Sequence, residues 1–276
     1  MTGGSRLFLA NDEEFAPSTV RSWKDISYRK LALLGQQLSF SVDMSKVGCG
    51  CNGAVYLVAM DEASSHIASG YCDIQGYDIP DVAPCVELDL IEGNRKACQA
   101  TQHTQQGRGQ NGRCNQDGCE GNWGRDGSTK LFGPGSGNID SNRPFRVTAT
   151  FPRTGAGAAY NVRVSQGSDD PLSGMLLLDA NGAANLPHGR PPVPVSEDDQ
   201  RKTRIALEHG LVLVVSLWTA PDLVCRNAKP HTLQHAYHHL RTTLTTHDPP
   251  HDYLTTHTLP THHAHAPMPR LRRTPR

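Results

Sequence analysis

Short apolar runs alternate along the chain with clusters of Gly, Pro, Asn and Asp, and helical periodicity is scarce. Apolar runs bounded by turn residues are typical of β-strands. The segment LSFSVDM alternates apolar and polar residues with period two, as a half-buried antiparallel strand does. LVLVVSLW is apolar on both faces and predicts a central strand. The pattern predicts nine strands, at residues 6–10, 30–34, 38–42, 54–60, 86–91, 146–151, 160–164, 175–179 and 211–218.

Helices have little place in this pattern. Only residues 198–209, DDQRKTRIALEH, favour a helix, and that segment could equally lead directly into the strand after it. Residues 107–137 are dense in Gly, Asn, Asp and Cys, which predicts stapled loops rather than sheet. Many short strands at this spacing predict an all-β fold, a sandwich or jelly roll of two antiparallel sheets.

The composition changes near Cys225, which divides the chain into two parts. Residues 6–226 are expected to form one jelly-roll domain. Residues 227–276 are rich in His, Thr and Pro. They cannot bury enough apolar surface to offset their ordering entropy, so a disordered tail is predicted. A His-rich metal-binding tail is the alternative.

Charge and hydropathy exclude several classes of partner. Lys and Arg together number 27, as do Asp and Glu, so no net field attracts nucleic acid or an anionic membrane. No apolar run reaches the 18 residues that a membrane-spanning helix needs. The first residues, MTGGSRLFLANDEEF, contain too short an apolar stretch for a secretory signal.

The cysteines point to an oxidising compartment. Seven of the eight lie between Cys49 and Cys119, in loop-like surroundings such as GCGCNG and GRCNQDGCEGN. Cys114 and Cys119 have a spacing that zinc permits, but a second compact pair with a clean CxxC or HxxxH pattern is missing. Disulfides are therefore favoured over zinc. The protein is expected to be extracellular, with a signal sequence upstream of Met1.

The acidic run Glu87-Leu-Asp-Leu-Ile-Glu92 is the main candidate for chemistry. Hydrolysis of a glycoside with retained configuration needs two carboxyl groups about 5–5.5 Å apart, one nucleophilic and one proton-donating. On a regular strand Glu87 and Asp89 share a face, whereas Glu92 points to the other face. A β-bulge between Asp89 and Glu92 would bring all three together, with Leu88 and Leu90 packed behind. A solvated acidic face on an edge strand is the alternative.

Longer segments on both sides of this run form a recognisable series. Six segments follow one another along the chain in this order: LALLGQQLSFSVDMSKVGCGCNGAVYLVAMD, SGYCDIQ, CVELDLIEGN, CNQDGCEGN, LFGPGSGNID and LVLVVSLW. In these motifs, over roughly residues 6–223, the chain resembles glycoside hydrolase family 7, the fungal-type cellobiohydrolases and endoglucanases. The resemblance implies a concanavalin-like β-jelly-roll whose concave face carries a cleft for β-1,4-glucan.

The resemblance also implies site residues. Glu87 would be the nucleophile, Asp89 its assistant and Glu92 the acid/base. The substrate-binding set would be Asn52, Tyr56, Tyr71, Asp73, Gln75, His103, Arg108 and Trp218. Trp123 is a further candidate for stacking on a sugar, or else packs in a loop. Cys72 and Cys85 would form a disulfide ahead of the acidic strand, whereas Cys49, Cys114 and Cys119 match half-cystines whose usual partners lie in segments absent here.

These expectations combine into one functional hypothesis. The chain would be a monomeric cellulase, of the cellobiohydrolase or endoglucanase type. It would hydrolyse β-1,4-glucan by double displacement through a glycosyl-enzyme intermediate. A polysaccharide is the expected partner, and no cofactor or metal is expected. The alternatives are a family 16-like β-1,3-glucanase and an inactive carbohydrate-binding jelly roll. The family's first strands and its segments after Trp218 are expected to be missing here, which would leave the sandwich incomplete.

Overall fold

The computed structural model describes residues 3–8, 28–60, 85–104, 114, 118–123, 131–153, 160–168, 170, 172–179, 195–219 and 243–246. These residues form strands and one helix in the following order: β1 Gly3–Phe8, β2 Lys30–Leu31, β3 Gln37–Val42, β4 Cys51–Val58, β5 Glu87–Asn94, β6 Ala97–His103, β7 Cys119–Trp123, β8 Phe132–Gly133, β9 Ile139–Asp140, β10 Phe145–Thr150, β11 Asn161–Ser165, β12 Met175–Asp179, α1 Glu197–His209, β13 Leu211–Thr219 and β14 Thr243–Thr246.

Two antiparallel sheets make up the fold. The larger has the order β1-β13-β4-β5-β6-β7, with β2 also paired to β13, and the smaller has the order β12-β11-β10-β3-β14. Strands β8 and β9 form a separate short parallel pair. The predicted all-β jelly roll of two antiparallel sheets is confirmed.

The main hydrophobic core draws on both sheets. The smaller sheet contributes side chains such as Phe40 and Val147, and the larger sheet contributes Leu57, Leu88 and Leu213. Val212 and Val214 of β13 belong to a second cluster, on the other face of the larger sheet. We call this face, turned away from the main core, the outer face. Strand β13 is thus buried on both sides between β1 and β4, as LVLVVSLW predicted.

Two strands of the larger sheet were not predicted. Strand β6, ACQATQH, lacks large apolar residues, because one face meets the core through Cys98 and Ala100 while the other carries polar side chains. Strand β7, CEGNW, lies inside the segment predicted as loop. Its Gly121 sits where the two sheets approach closely, since a Cβ there would lie 1.7 Å from the backbone oxygen of Leu177. Glycine inside a strand often marks such a close approach of two backbones.

The C-terminal segment contributes one strand to the smaller sheet. Residues Thr243–Thr246 pair with β3 in antiparallel register, which the prediction of a disordered tail did not foresee. The rest of residues 227–276 lies outside the described residues.

Helix α1 lies where the sequence favoured a helix. Ser196 is its N-cap and forms a capping box with Asp199, which satisfies backbone donors of the first turn. The buried residues Asp199, Thr203, Ala206 and Leu207 form one face of the helix. Among the described residues, no helix is both long and apolar enough to cross a membrane.

Buried polar contacts dock this helix on the end of β6. Asp199 is fully buried and accepts hydrogen bonds from the hydroxyl groups of Thr104 and Ser196. Gln102 Nε2 donates to Thr203 Oγ1 at 2.7 Å. Since His103 lies between Gln102 and Thr104, the helix holds the strand end that carries this candidate site residue.

Replacing Asp199 by Ala is expected to lower the free energy of unfolding by about 2–4 kcal/mol, because it breaks one half of the capping box and leaves buried hydroxyl donors unsatisfied. Urea denaturation would measure the loss. Asp198→Ala, at the neighbouring position, is the matched control. The carboxylate of Asp198 is exposed and forms ion pairs with Arg201 and Lys202, and these pairs should contribute less than about 1 kcal/mol. Equal losses in the two variants would contradict the anchoring role.

The cysteines are paired in part. Cys114 and Cys119 form a disulfide with each other, so the interpretation as disulfides rather than zinc is confirmed for this pair. The expectation that the partners of Cys114 and Cys119 lie in absent segments is wrong, because these two residues, five positions apart in the sequence, bond to each other. Cys49 and Cys85 are also disulfide-bonded, and Cys72, the predicted partner of Cys85, lies outside the described residues. Cys51 and Cys98 are free and buried, and burial raises the pKa of both thiols.

Candidate active site

A β-bulge in β5 places the three acidic side chains on one face. Asp89 pairs with Thr101 and Glu92 pairs with Gln99, so Leu90 and Ile91 together oppose the single residue Ala100. The same shift occurs against β4. Leu88, Leu90 and Ile91 are fully buried in the main core. The bulge that the spacing required is present, and Glu87, Asp89 and Glu92 therefore all point to the outer face.

Cross-strand pairing assigns the neighbours of each carboxylate, because directly paired residues lie side by side on the same face. Glu87 lies between Val58 of β4 and His103 of β6, and Asp89 lies between Tyr56 and Thr101. Glu92 follows between Ala54 and Gln99. The three carboxylates form one line along β5, and side chains of β4 and β6 flank this line on either side.

Glu87 and Asp89 are buried, with exposed fractions of 8% and 3%. His103, also buried, places Nε2 at 3.3 Å from Asp89 Oδ2. Burying a carboxylate is costly unless polar or charged groups compensate it. His103 therefore compensates Asp89, and through its pairing with β5 it also lies beside Glu87.

Glu92 is half-buried and held by two side-chain amides. Asn52 Nδ2 donates to Oε1 at 2.9 Å, and Gln99 Nε2 donates to Oε2 at 3.1 Å. Asn52 lies on β4 and Gln99 on β6, so the two donors approach the carboxyl group from opposite sides. This arrangement restricts rotation of the Glu92 carboxyl group.

Tyr160 supports the site from within the core. Its hydroxyl donates to the backbone oxygen of Thr101 at 2.8 Å. Burial, and then the charges of Asp89 and Glu92, hold the pKa of Tyr160 well above its usual value. The phenol therefore stays neutral and keeps its proton for this hydrogen bond. The bond is made to β6 at Thr101, the residue paired with Asp89.

The aromatic candidates differ in exposure. Trp218 is half-buried and pairs with Asn52, which puts it on the outer face near Glu92. Tyr56 is 3% exposed and packs in the apolar cluster of this face, which leaves little ring surface for a sugar. Trp123 is 1% exposed in the main core, so the stacking role considered for it is wrong; the residue packs in the core as the alternative held, but from strand β7 and not from a loop.

Four further predicted substrate contacts belong to segments of the chain beyond the described strands and helix. They lie outside the described residues: Tyr71, Asp73, Gln75 and Arg108.

The sequence did not single out several residues that the structure brings to this site. Gln99 and Tyr160 contact the acidic strand or its neighbour, and on β7 the side chains of Glu120 and Asn122 lie beside β6. Asn122 Nδ2 donates to Gln99 Oε1 at 2.8 Å and to Glu120 Oε2 at 3.4 Å. The pairing of β5, β6 and β7 could have revealed Gln99, Glu120 and Asn122, but not Tyr160, which lies just before β11. Within the described part of the chain, no group of three or more His, Cys, Asp or Glu side chains could hold a metal ion.

Comparison with known proteins gives a family match. The profile described as "Glycosyl hydrolase family 7" matches residues 5–80 and 80–165. "Endoglucanase EG-1" of Trichoderma longibrachiatum is 30% identical over 251 residues, which cover 78% of this chain and 51% of the relative. "Endoglucanase type C" of Fusarium oxysporum is 26% identical over 231 residues, 69% of this chain and 54% of the relative. The chain thus spans about half the length of these curated relatives.

Solved structures share the fold. A GH7 family cellobiohydrolase from Daphnia pulex superposes with a TM-score of 0.50 at 23% identity, over 71% of this chain and 60% of that chain. A cellobiohydrolase from Melanocarpus albomyces complexed with cellotetraose gives a TM-score of 0.50 at 22% identity, over 78% and 61% of the two chains.

Proposed function

Since the chain belongs to glycosyl hydrolase family 7, we propose that it hydrolyses β-1,4-glucan with retained configuration. The observation that carries this proposal is the bulge at Leu90 and Ile91, which turns Glu87, Asp89 and Glu92 to one face. Retaining hydrolysis requires a nucleophilic and a proton-donating carboxyl group on the same side of the scaffold. An acidic strand serving only solubility would not need this change of register.

In the first step the ionised Glu87 attacks the anomeric carbon, while Glu92 donates a proton to the leaving oxygen. In the second step Glu92 removes a proton from water, which then displaces Glu87 from the sugar. Asp89, beside His103, lies between the two and shapes the electrostatics around Glu87. The roles differ by surroundings: Glu87 is buried, whereas Glu92 is half-exposed, as a group exchanging protons with substrate and water must be.

The substrate class is supported by the relatives and by the outer face. The curated relatives are endoglucanases, and one fold neighbour was crystallised with cellotetraose. Trp218 lies on the same face as the carboxylates, at a position where an indole could stack on a sugar ring. Such an enzyme would act outside the cell, on a polysaccharide, and the disulfides of Cys85 and Cys114 fit that environment. A family 16 assignment is excluded by the family match.

The test is an assay of the full chain on soluble cellulose and on laminarin, with reducing sugar as the readout. We expect release from the β-1,4-linked polymer. Proton NMR at early times should show the β-anomer first, since retention preserves the configuration. Digestion of laminarin alone would overturn the substrate, and first appearance of the α-anomer would overturn the mechanism. Binding without release would favour the carbohydrate-binding alternative.

A further inference from the structure

Gln99 occupies a position that the chemistry proposed above does not yet explain. Its amide group is satisfied at both ends: Nε2 donates to Glu92 Oε2, and Oε1 accepts from Asn122 Nδ2. Gln99 comes from β6 and Asn122 from β7, and the two are directly paired. A line of polar side chains therefore crosses three strands and ends on the carboxyl group of Glu92.

The direction of this line is fixed by its far end. The NH₂ group of Asn122 has two hydrogens, one directed to Gln99 Oε1 and one to Glu120 Oε2. An ionised carboxylate only accepts hydrogen bonds, so Glu120 requires the NH₂ side of Asn122. With that NH₂ facing Gln99, the oxygen of Gln99 must face Asn122, and its nitrogen must face Glu92.

We propose that Gln99 is a positioning residue for the acid/base Glu92, and that Asn122 and Glu120 fix the direction of its amide. This inference rests on the proposed function and extends it from the three acids to the strands β6 and β7. With Asn52 Nδ2 on Oε1 and Gln99 Nε2 on Oε2, the carboxyl group is held from both sides. A preorganised carboxyl group loses no rotational freedom when it transfers its proton, and misplacing it slows that transfer.

A positioning role predicts an effect that depends on the leaving group. Gln99→Met keeps the length of the side chain but removes its amide. The value of kcat/KM reports the first bond-breaking step. For phenyl β-cellobioside, whose leaving group needs a proton, it should fall about tenfold to a hundredfold. For 2,4-dinitrophenyl β-cellobioside, whose leaving group departs without a proton, it should stay close to that of the wild type.

Gln102→Met is the matched control. Gln102 lies on the same strand but on the opposite face, where it donates to Thr203 of α1. This variant should melt at a lower temperature, because a buried hydrogen bond is lost, yet keep the wild-type ratio of the two kcat/KM values. The control separates damage to β6 from loss of the contact with Glu92.

A double-mutant cycle tests whether Asn122 acts on Glu92 through Gln99. Asn122→Leu removes the donor that orients Gln99, so it should reduce the phenyl cellobioside rate by a smaller factor. Combining it with Gln99→Met should add no further loss, since Asn122 acts through Gln99. If the double variant instead lost the product of the two single rate factors, Asn122 would not act through Gln99.

Equal losses on both substrates, or none on either, would overturn the positioning role while leaving the proposed function intact. A wild-type chain that cleaves neither cellobioside would overturn both. The two failures are distinguished by the wild-type rate on the dinitrophenyl substrate, which requires Glu87 but no proton from Glu92.

Discussion

Replacing Glu87 by Gln is expected to lower kcat for cellulose hydrolysis by roughly 10⁴- to 10⁶-fold, the range found when a catalytic nucleophile or its activating base is removed. The amide matches the carboxylate in shape but cannot form the glycosyl ester that double displacement requires. Glu87 is buried beside Val58 and His103, so water has little room to replace it as the nucleophile.

The intermediate gives this prediction a second, direct measurement. A 2,4-dinitrophenyl 2-deoxy-2-fluoro-β-cellobioside should form a slowly hydrolysed ester with the wild type, and peptide mass spectrometry should locate the label on Glu87. Glu208→Gln is the matched control. Glu208 lies at an exposed position of α1, where its carboxylate forms an ion pair with Arg204, so the same change there should leave kcat unchanged. A label on Asp89, or full activity of Glu87→Gln, would refute the assignment.

Gly121→Ala should have the largest effect on folding. Its Cβ would lie 1.7 Å from the backbone oxygen of Leu177 and 2.8 Å from the carbonyl carbon. Backbone atoms cannot rotate away as a side chain does, so β7 and β12 must separate where the two sheets meet. We expect a loss of about 3 kcal/mol or more in the free energy of unfolding, a large part of the total stability of a typical domain.

The measurement is denaturation by urea, followed by tryptophan fluorescence because Trp123 lies two residues away in the core. Gly137→Ala serves as the control, since a Cβ there meets nothing within 4 Å and should change stability by less than about 1 kcal/mol in either direction. The displaced β7 should also weaken the contacts of Asn122, so any residual activity should fall as well. Identical midpoints for the two variants would show that the sheets separate without cost.

Local sequence patterns predicted the elements whose own residues show a regular alternation of apolar and polar positions or a continuous apolar run. Strand β13 is apolar on both faces, and α1 carries its own cap, so each could be recognised from its own residues. The carboxylates of β5 could be placed as well, because retaining chemistry requires same-face groups and the spacing from Asp89 to Glu92 then requires a bulge.

Strands β6 and β7 escaped prediction for a physical reason. Their site-facing residues, such as Gln99 and Asn122, are polar, and Gly121 is required by the contact between the sheets. Polar strands bounded by glycine look like loops in a single sequence. The contacts of Tyr160 with Thr101 and of Asn52 with Glu92 join residues more than 35 positions apart. Such pairs depend on strand order and pairing, which local patterns do not contain.

The bulge at Leu90 and Ile91, two residues that oppose the single residue Ala100, also limits how the sheet can assemble. A regular strand that slides by two residues along its neighbours keeps its apolar side chains inside, and misaligned sheets of this kind can persist as kinetic traps. Strand β5 has no such freedom, because a slide of two would set Leu90 and Ile91 against Cys98 or Gln102 instead of Ala100. The register of β5 shifts at this same point against both neighbours, β4 and β6. The bulge therefore favours, during folding, the alignment of the three strands that sets Leu90 and Ile91 against Ala100.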